Sequence, residues 1–135
     1  MRVAAKLSVN VKERWRDIST QTNKTAAVRI FEEAINQNKP ELADQLFHEN
    51  FVDHNPIDGQ PKGRAAGRFI VEFLNSGGRT AGIVLHQLVA EGDLVGLRWT
   101  AGPPERPAVE AIVMLRFESG RVIERWAAFI RHEVG

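Results

Sequence analysis

The chain has 135 residues, 43% hydrophobic and 26% charged, the proportions of a single globular domain. Eighteen Lys and Arg oppose seventeen Asp and Glu, a net charge of +1, so no field draws the chain to nucleic acid or to an anionic membrane. The absence of Cys and Tyr excludes disulfide frameworks, thiolate metal sites, a cysteine nucleophile and a phenolic acid.

Residues 1–21 read as an arm or short helix ahead of one domain over 22–135. Arg2, Lys6, Lys12, Arg14 and Arg16 oppose only Glu13 and Asp17 there. Met1–Val11 has no continuous apolar stretch and no small-residue cleavage site, which makes it a poor secretory signal and the expected location cytoplasmic. Val9, Trp15 and Ile18 fall on one face of a helix, with Trp15 packing on the domain or on a second subunit.

Thr22 or Asn23 is placed to cap a helix running to about Asn38. Ala27, Ile30, Phe31, Ala34 and Ile35 recur at helical spacing on its core face, and Arg29 and Glu33 sit four apart on the other. Asn38-Lys39-Pro40 breaks it. Pro40 suits the first turn of a second helix that turns Leu42, Leu46 and Phe47 inward and ends at His48-Glu49-Asn50. Phe51–Pro56 (FVDHNP) reads as short and extended, since Pro56 biases Asn55 away from helix. Asp58-Gly59 and Pro61-Lys62-Gly63 are loop chemistry. A third helix from about Arg64 to Leu74 carries Ala66, Phe69, Ile70, Phe73 and Leu74, and Ser76-Gly77-Gly78 stops it.

From Ala81 the period changes to two. Ile83, Leu85, Gln87 and Val89 alternate with Val84, His86, Leu88 and Ala90. Glu91-Gly92-Asp93 turns the chain into a strand over Leu94–Thr100. Ala108–Phe117 is a third strand, Glu118-Ser119-Gly120 a tight turn, and Arg121–Arg131 a fourth. Consecutive strands joined by tight turns predict an antiparallel sheet. Its strands are apolar on both faces, so a second copy of the chain is the expected cover for the outer one.

This order of elements resembles the nuclear-transport-factor-two-like superfamily, and most closely its SnoaL-like polyketide cyclase branch. The matching stretches are Asn23–Gln37, Phe51–Pro56, Val89–Trp99 and Leu115–Trp126. The resemblance implies an α+β cone: three N-terminal helices packed in a curved antiparallel sheet of about four to six strands, with one apolar pocket at the wide end. Fold alone does not assign a reaction.

The resemblance places His54 beside that pocket, where its imidazole would serve as the acid/base; the alternative is that it bonds a neighbouring carbonyl and pins the loop. Asn55 is either a turn residue or an oxyanion donor. Three positions that are polar in the related cyclases are silent here: Ala127 and Val113 stand where carboxylates are common, and Phe31 where an aromatic hydroxyl is. In the last strand Ile123, Arg125, Ala127 and Phe129 share one face, and Glu124, Trp126 and Ala128 the other. With Ala127 facing the pocket, Arg125 faces it too. It binds a ligand carboxylate or enolate, snorkels to the rim, or pairs with Glu110 or Asp53. Glu124 and Trp126 then belong to the dimer face. Phe31, Phe69, Ile123 and Phe129 line or back the cavity, and Trp99 is either core or a ligand-stacking wall. His48, Asp53, His54 and Asp58 lack metal-ligand spacing, and no cofactor motif occurs. Two functions remain open: a module binding a small hydrophobic molecule, and a cofactor-free cyclase or isomerase moving a proton on a small carbonyl compound, with His54 as acid/base and Glu110 as its rival.

Overall fold

The first helix, α1 (Val11–Arg29), passes directly into a π-helical segment over Ile30–Ile35. The computed structural model describes residues 11–75 and 82–132, with side chains from residue 18 onward; the expectations for Val9, for the side chain of Trp15 and for the stop at Ser76-Gly77-Gly78 lie outside the described residues. In the widened turn Asn36 N and Lys39 N donate to carbonyls five residues back, those of Phe31 and Ala34, at 3.0 and 2.9 Å. The stripe Ala27, Ile30, Phe31, Ala34 and Ile35 is buried, as its spacing predicts.

The expected cap at Thr22 or Asn23 does not form, because the helix is already three turns old there. Thr22 Oγ1 instead donates back to the Ile18 carbonyl at 3.0 Å, and Asn23 is buried. A hydroxyl bonded to the carbonyl one turn earlier stays within a helix rather than opening one. The helix therefore runs across the expected boundary at residue 21.

A 3₁₀ turn over Pro40–Leu42 and a short α2 (Ala43–Leu46) lead without a loop into strand β1 (Phe47–Asp53). His48, Glu49 and Asn50, expected to end a helix, are thus strand residues. After the loop over 54–63 comes α3 (Arg64–Asn75), then β2 (Ile83–Glu91), β3 (Leu94–Ala101), β4 (Val109–Glu118) and β5 (Arg121–Arg131). The sheet order is β1-β5-β4-β3-β2. Strands β2 to β5 form an antiparallel meander, but β1 lies parallel to β5. The sheet is therefore mixed rather than wholly antiparallel: α3 and the meander carry the chain back, so the last strand docks beside the first in the same direction.

The helices cover one face of the sheet. Val95, Leu97, Trp99 and Ala101 of β3 and Ala111, Val113, Leu115 and Phe117 of β4 join the helical stripe in one core. Gly67 lets α3 close on β1: a Cβ there would overlap the Cγ, Cδ1 and Cβ atoms of Phe47. The buried side of α3 is Ala66, Gly67, Ile70, Val71 and Leu74. Phe69 and Phe73 sit one turn apart on its flank, half-buried and exposed respectively.

Within the meander two bulges break the two-residue period. In β2, Leu85 pairs with Trp99 and Gln87 with Arg98, leaving His86 as the extra residue. In β5, Val122 pairs with Phe117 and Glu124 with Arg116, leaving Ile123 extra. Each bulge reverses the parity of the strand. Beyond His86 it is Leu88 and Ala90 that turn inward, and Val89 stands 69% exposed on the outer face. Among the described residues no helix is long and apolar enough to cross a membrane.

Candidate functional site

Beneath the sheet lies a small enclosed chamber of about 20 Å³, room for about one water molecule. Its walls are Ile30, Phe31, Ile35, Phe47, Ile70, Leu74, Trp99, Val113 and Leu115, and its one charged wall residue is Arg125. Phe31, Trp99 and Arg125, all named as candidates from the sequence, line this chamber. Phe129 stands outside that lining, 43% exposed, with its ring centroid 6.1 Å from that of Trp99 and 5.9 Å from the Arg125 guanidinium carbon.

Two further expected wall residues are elsewhere. Ile123 is the bulged residue of β5, so Val122, fully buried, takes the inward position ahead of Arg125. Phe69 lies on the flank of α3, since Gly67 and Ile70 occupy the side pressed on the sheet.

Arg125 is 4% exposed, and its Nη1 donates to Asp53 Oδ2 at 2.7 Å. Of the partners considered from sequence, Asp53 is the one it takes. Both side chains are sealed, at 5% and 3% exposure. The carboxylate is held on further sides: Gln60 Nε2 donates to Oδ2 at 2.9 Å, and the Asn55 amide to Oδ1 at 2.9 Å. The latter contact is the short-range turn that Asp readily makes with the amide two residues on. Asn55 acts as a tie, its side-chain oxygen accepting from Ala127 N at 2.9 Å and its carbonyl lying 3.4 Å from Arg125 Nη1. Gln60 also accepts from Ile57 N at 3.1 Å, so one loop side chain locks both the loop and the acid. On the far side of Asp53 an open groove of about 340 Å³ runs between the loop and α3, lined by Phe51, Val52, Pro56, Gln60 and Ala66 among others.

His54 departs from its expected place. Its amide donates to the Arg125 carbonyl at 2.9 Å, which extends the β1–β5 ladder by one residue and sends the ring to the outer face, opposite Asp53. There it stacks on Trp126 with centroids 4.8 Å apart, and Nε2 lies 2.7 Å from Glu124 Oε2. Arg116 Nε donates to the other Glu124 oxygen at 3.0 Å, and its Nη1 to Asp93 at 3.0 Å. The hydrogen bond from His54, and after it that from Arg116, holds the Glu124 carboxyl below the usual carboxylate range against partial desolvation. Asp93 and Glu124 in turn raise the Arg116 pKa. Glu110, the rival acid, is also outside: it pairs with Arg98 at 3.2 Å and with His132 at 3.2 Å. Val113 and Ala127 stand directly opposite each other on the inner face, so neither position brings a carboxylate to the chamber.

Sequence reasoning gave Asp53 only a minor role and overlooked Gln60. The signal for Asp53 was present, since extended neighbours point to opposite sides and His54 and Asp53 cannot share one. For Gln60, a polar residue between two loop prolines, no local signal exists. Among the described residues no cluster of three or more His, Asp or Glu has metal-binding geometry.

Several solved structures share this architecture. An NTF2-like protein from Mesorhizobium loti superposes with a TM-score of 0.67 at 18% identity, over 82% of this chain and 93% of its own. A candidate polyketide cyclase from Bacillus cereus ATCC 10987 gives 0.64 at 24% identity, over 90% and 79%. A candidate ketosteroid isomerase from Kribbella flavida DSM 17836 gives 0.67 at 15%, over 87% and 84%. At such identities the likeness is one of fold, the NTF2-like α+β fold. No curated protein matches the sequence significantly. Residues 27–125 match the SnoaL-like domain, and the chain belongs to that family.

Proposed function

We propose that this SnoaL-like chain binds a small, largely apolar molecule inside the sheet, with the Arg125–Asp53 pair as its polar contact. The observation that carries the reading is the burial of that pair, 5% and 3% exposed, at an otherwise apolar wall. Apolar side chains of similar volume would stabilise such a site as well or better, so a buried ion pair argues for a role beyond stability. The chamber as it stands takes one water, so a ligand enters by displacing the loop over 54–63. That loop is held largely through Asn55 and Gln60, and the groove beside Asp53 is the way in.

Cofactor-free proton transfer on a small carbonyl compound is the second reading. What favours it is the Asp53 carboxylate beside Arg125; the proton would pass to Asp53, because the ring of His54 lies across the sheet. The proposal also includes a second copy of the chain on the outer face. Val89, Ile112 and Ile130 are more than half exposed there. Val89, Leu94, Gly96 and Met114 line a groove of about 350 Å³, and the ion pairs of Arg98 and Arg116 form a charged rim.

The test of ligand binding is a titration, followed by nuclear magnetic resonance, with a panel of small aromatic ketones and esters. Saturable shifts at Phe31, Trp99 and Phe129 that disappear in Arg125→Met are expected. A flat response across the panel overturns the reading.

A further inference from the structure

Arg125 offers five N–H donors, and the structure uses one nitrogen. Nη1 serves Asp53 and the Asn55 carbonyl, while Nε and Nη2 have no acceptor among the described residues. No side-chain nitrogen or oxygen there is both sealed and unpartnered. The unused edge of this 4% exposed residue therefore faces free space, and the chamber that Arg125 lines is the space beside it. An oxygen atom placed there would meet preorganised donors.

The charge of that oxygen is decided by Asp53. The pair is neutral as a whole, and Arg125 is the one charged group in the chamber wall. A neutral carbonyl oxygen would accept from Nε or Nη2 and leave the site neutral. A carboxylate would bring a second negative charge to a cation already matched by Asp53, leaving one charge uncompensated in an apolar enclosure, which is costly. We propose that Asp53, by neutralising Arg125, is the specificity-determining residue that selects an uncharged carbonyl compound and excludes the corresponding carboxylate. The inference rests on the small-molecule reading above and names the ligand class of that site.

Acetophenone and benzoate, matched in size and ring, test it by titration calorimetry at neutral pH on the full chain. The wild type is expected to bind acetophenone roughly ten times more tightly than benzoate or better, as befits an uncompensated charge in a desolvated site. Asp53→Asn, which keeps the shape and frees the guanidinium charge, is expected to reverse that preference. Arg125→Gln, which keeps a donor and leaves Asp53 in place, is expected to go on excluding benzoate. Equal affinities in the wild type, or a wild-type preference for benzoate, overturn the proposal and leave the small-molecule reading standing. Failure of both compounds, and of the wider ketone panel, to bind overturns both. Should Asp53→Asn not fold, Asp53→Ser, which also removes the carboxylate charge, takes its place, and a variant that still prefers acetophenone overturns the proposal.

Discussion

His54 stacks flat on Trp126, with ring planes 8° apart and centroids at 4.8 Å, on the side of the sheet that Asp53 turns away from. One peptide unit at the end of β1 thus separates two titratable groups by the thickness of the sheet. The inner one holds Arg125 of the chamber wall, and the outer one belongs to a polar clasp of Glu124, Arg116 and Asp93.

The outer face is expected to join two copies of the chain. Sedimentation at micromolar concentration should give twice 15.1 kDa. Ile112→Asp should release monomers, since a charge in an apolar contact is costly. Ile112 is 57% exposed in the single chain, so the substitution leaves the fold unburdened. A wild-type monomer at that concentration overturns the expectation.

The buried pair sets up a second prediction. Arg125→Met strands the Asp53 carboxylate, and loss of one partner of a buried pair costs about 3–5 kcal/mol. Asp53→Leu combined with Arg125→Met removes both charges and should recover most of that loss. Urea midpoints of the two single variants and the double variant measure the coupling. A double variant as unstable as the sum of the singles would show that the pair contributes nothing as a pair.

A third prediction concerns acid. Glu124 has a pKa lowered in the folded chain by His54 first and Arg116 next. Its contribution to stability is present above the ordinary carboxylate pKa of about 4.3 and is lost as the pH falls through the lower folded value. Solvent reaches the group, so the effect is small. Stability measured against pH should therefore fall in the acid range less steeply in Glu124→Gln than in the wild type. Parallel acid limbs for the two proteins would contradict this.

Gly67→Ala should destabilise the chain although alanine is the better helix former by about 1 kcal/mol. The added methyl group meets the Phe47 ring close to its own backbone, where little give is available, and overpacking of this kind costs about 1–3 kcal/mol. Thermal unfolding of the variant is the check, and a higher melting temperature refutes it.

Much of the fold was legible. The helical stripe from Ala27 to Ile35 and the strand order of the meander follow from periodicities of 3.6 and two, and the inward aim of Arg125 from the family resemblance that turns Ala127 toward the pocket. The misplacement of Ile123 has a simple cause. Parity carries along a strand only until an extra residue enters, and neither His86 nor Ile123 differs chemically from an ordinary strand residue. The face of His54 was hidden for another reason. It depends on β1 pairing with a strand some seventy residues away, and no local pattern encodes such a partner. The chamber's near-closure was equally unreadable, since it follows from how side chains from several elements fill one space.

That distant pairing has a consequence for how the protein is made. Asp53 and Arg125 lie 72 residues apart, and closing so long a loop must wait until helices and hairpins, which need only local contacts, have formed. The chamber's polar corner is then a late product of folding, completed only when the final strand slots in beside the first. During synthesis β1 would leave the ribosome well before its partner and spend that interval as an open edge.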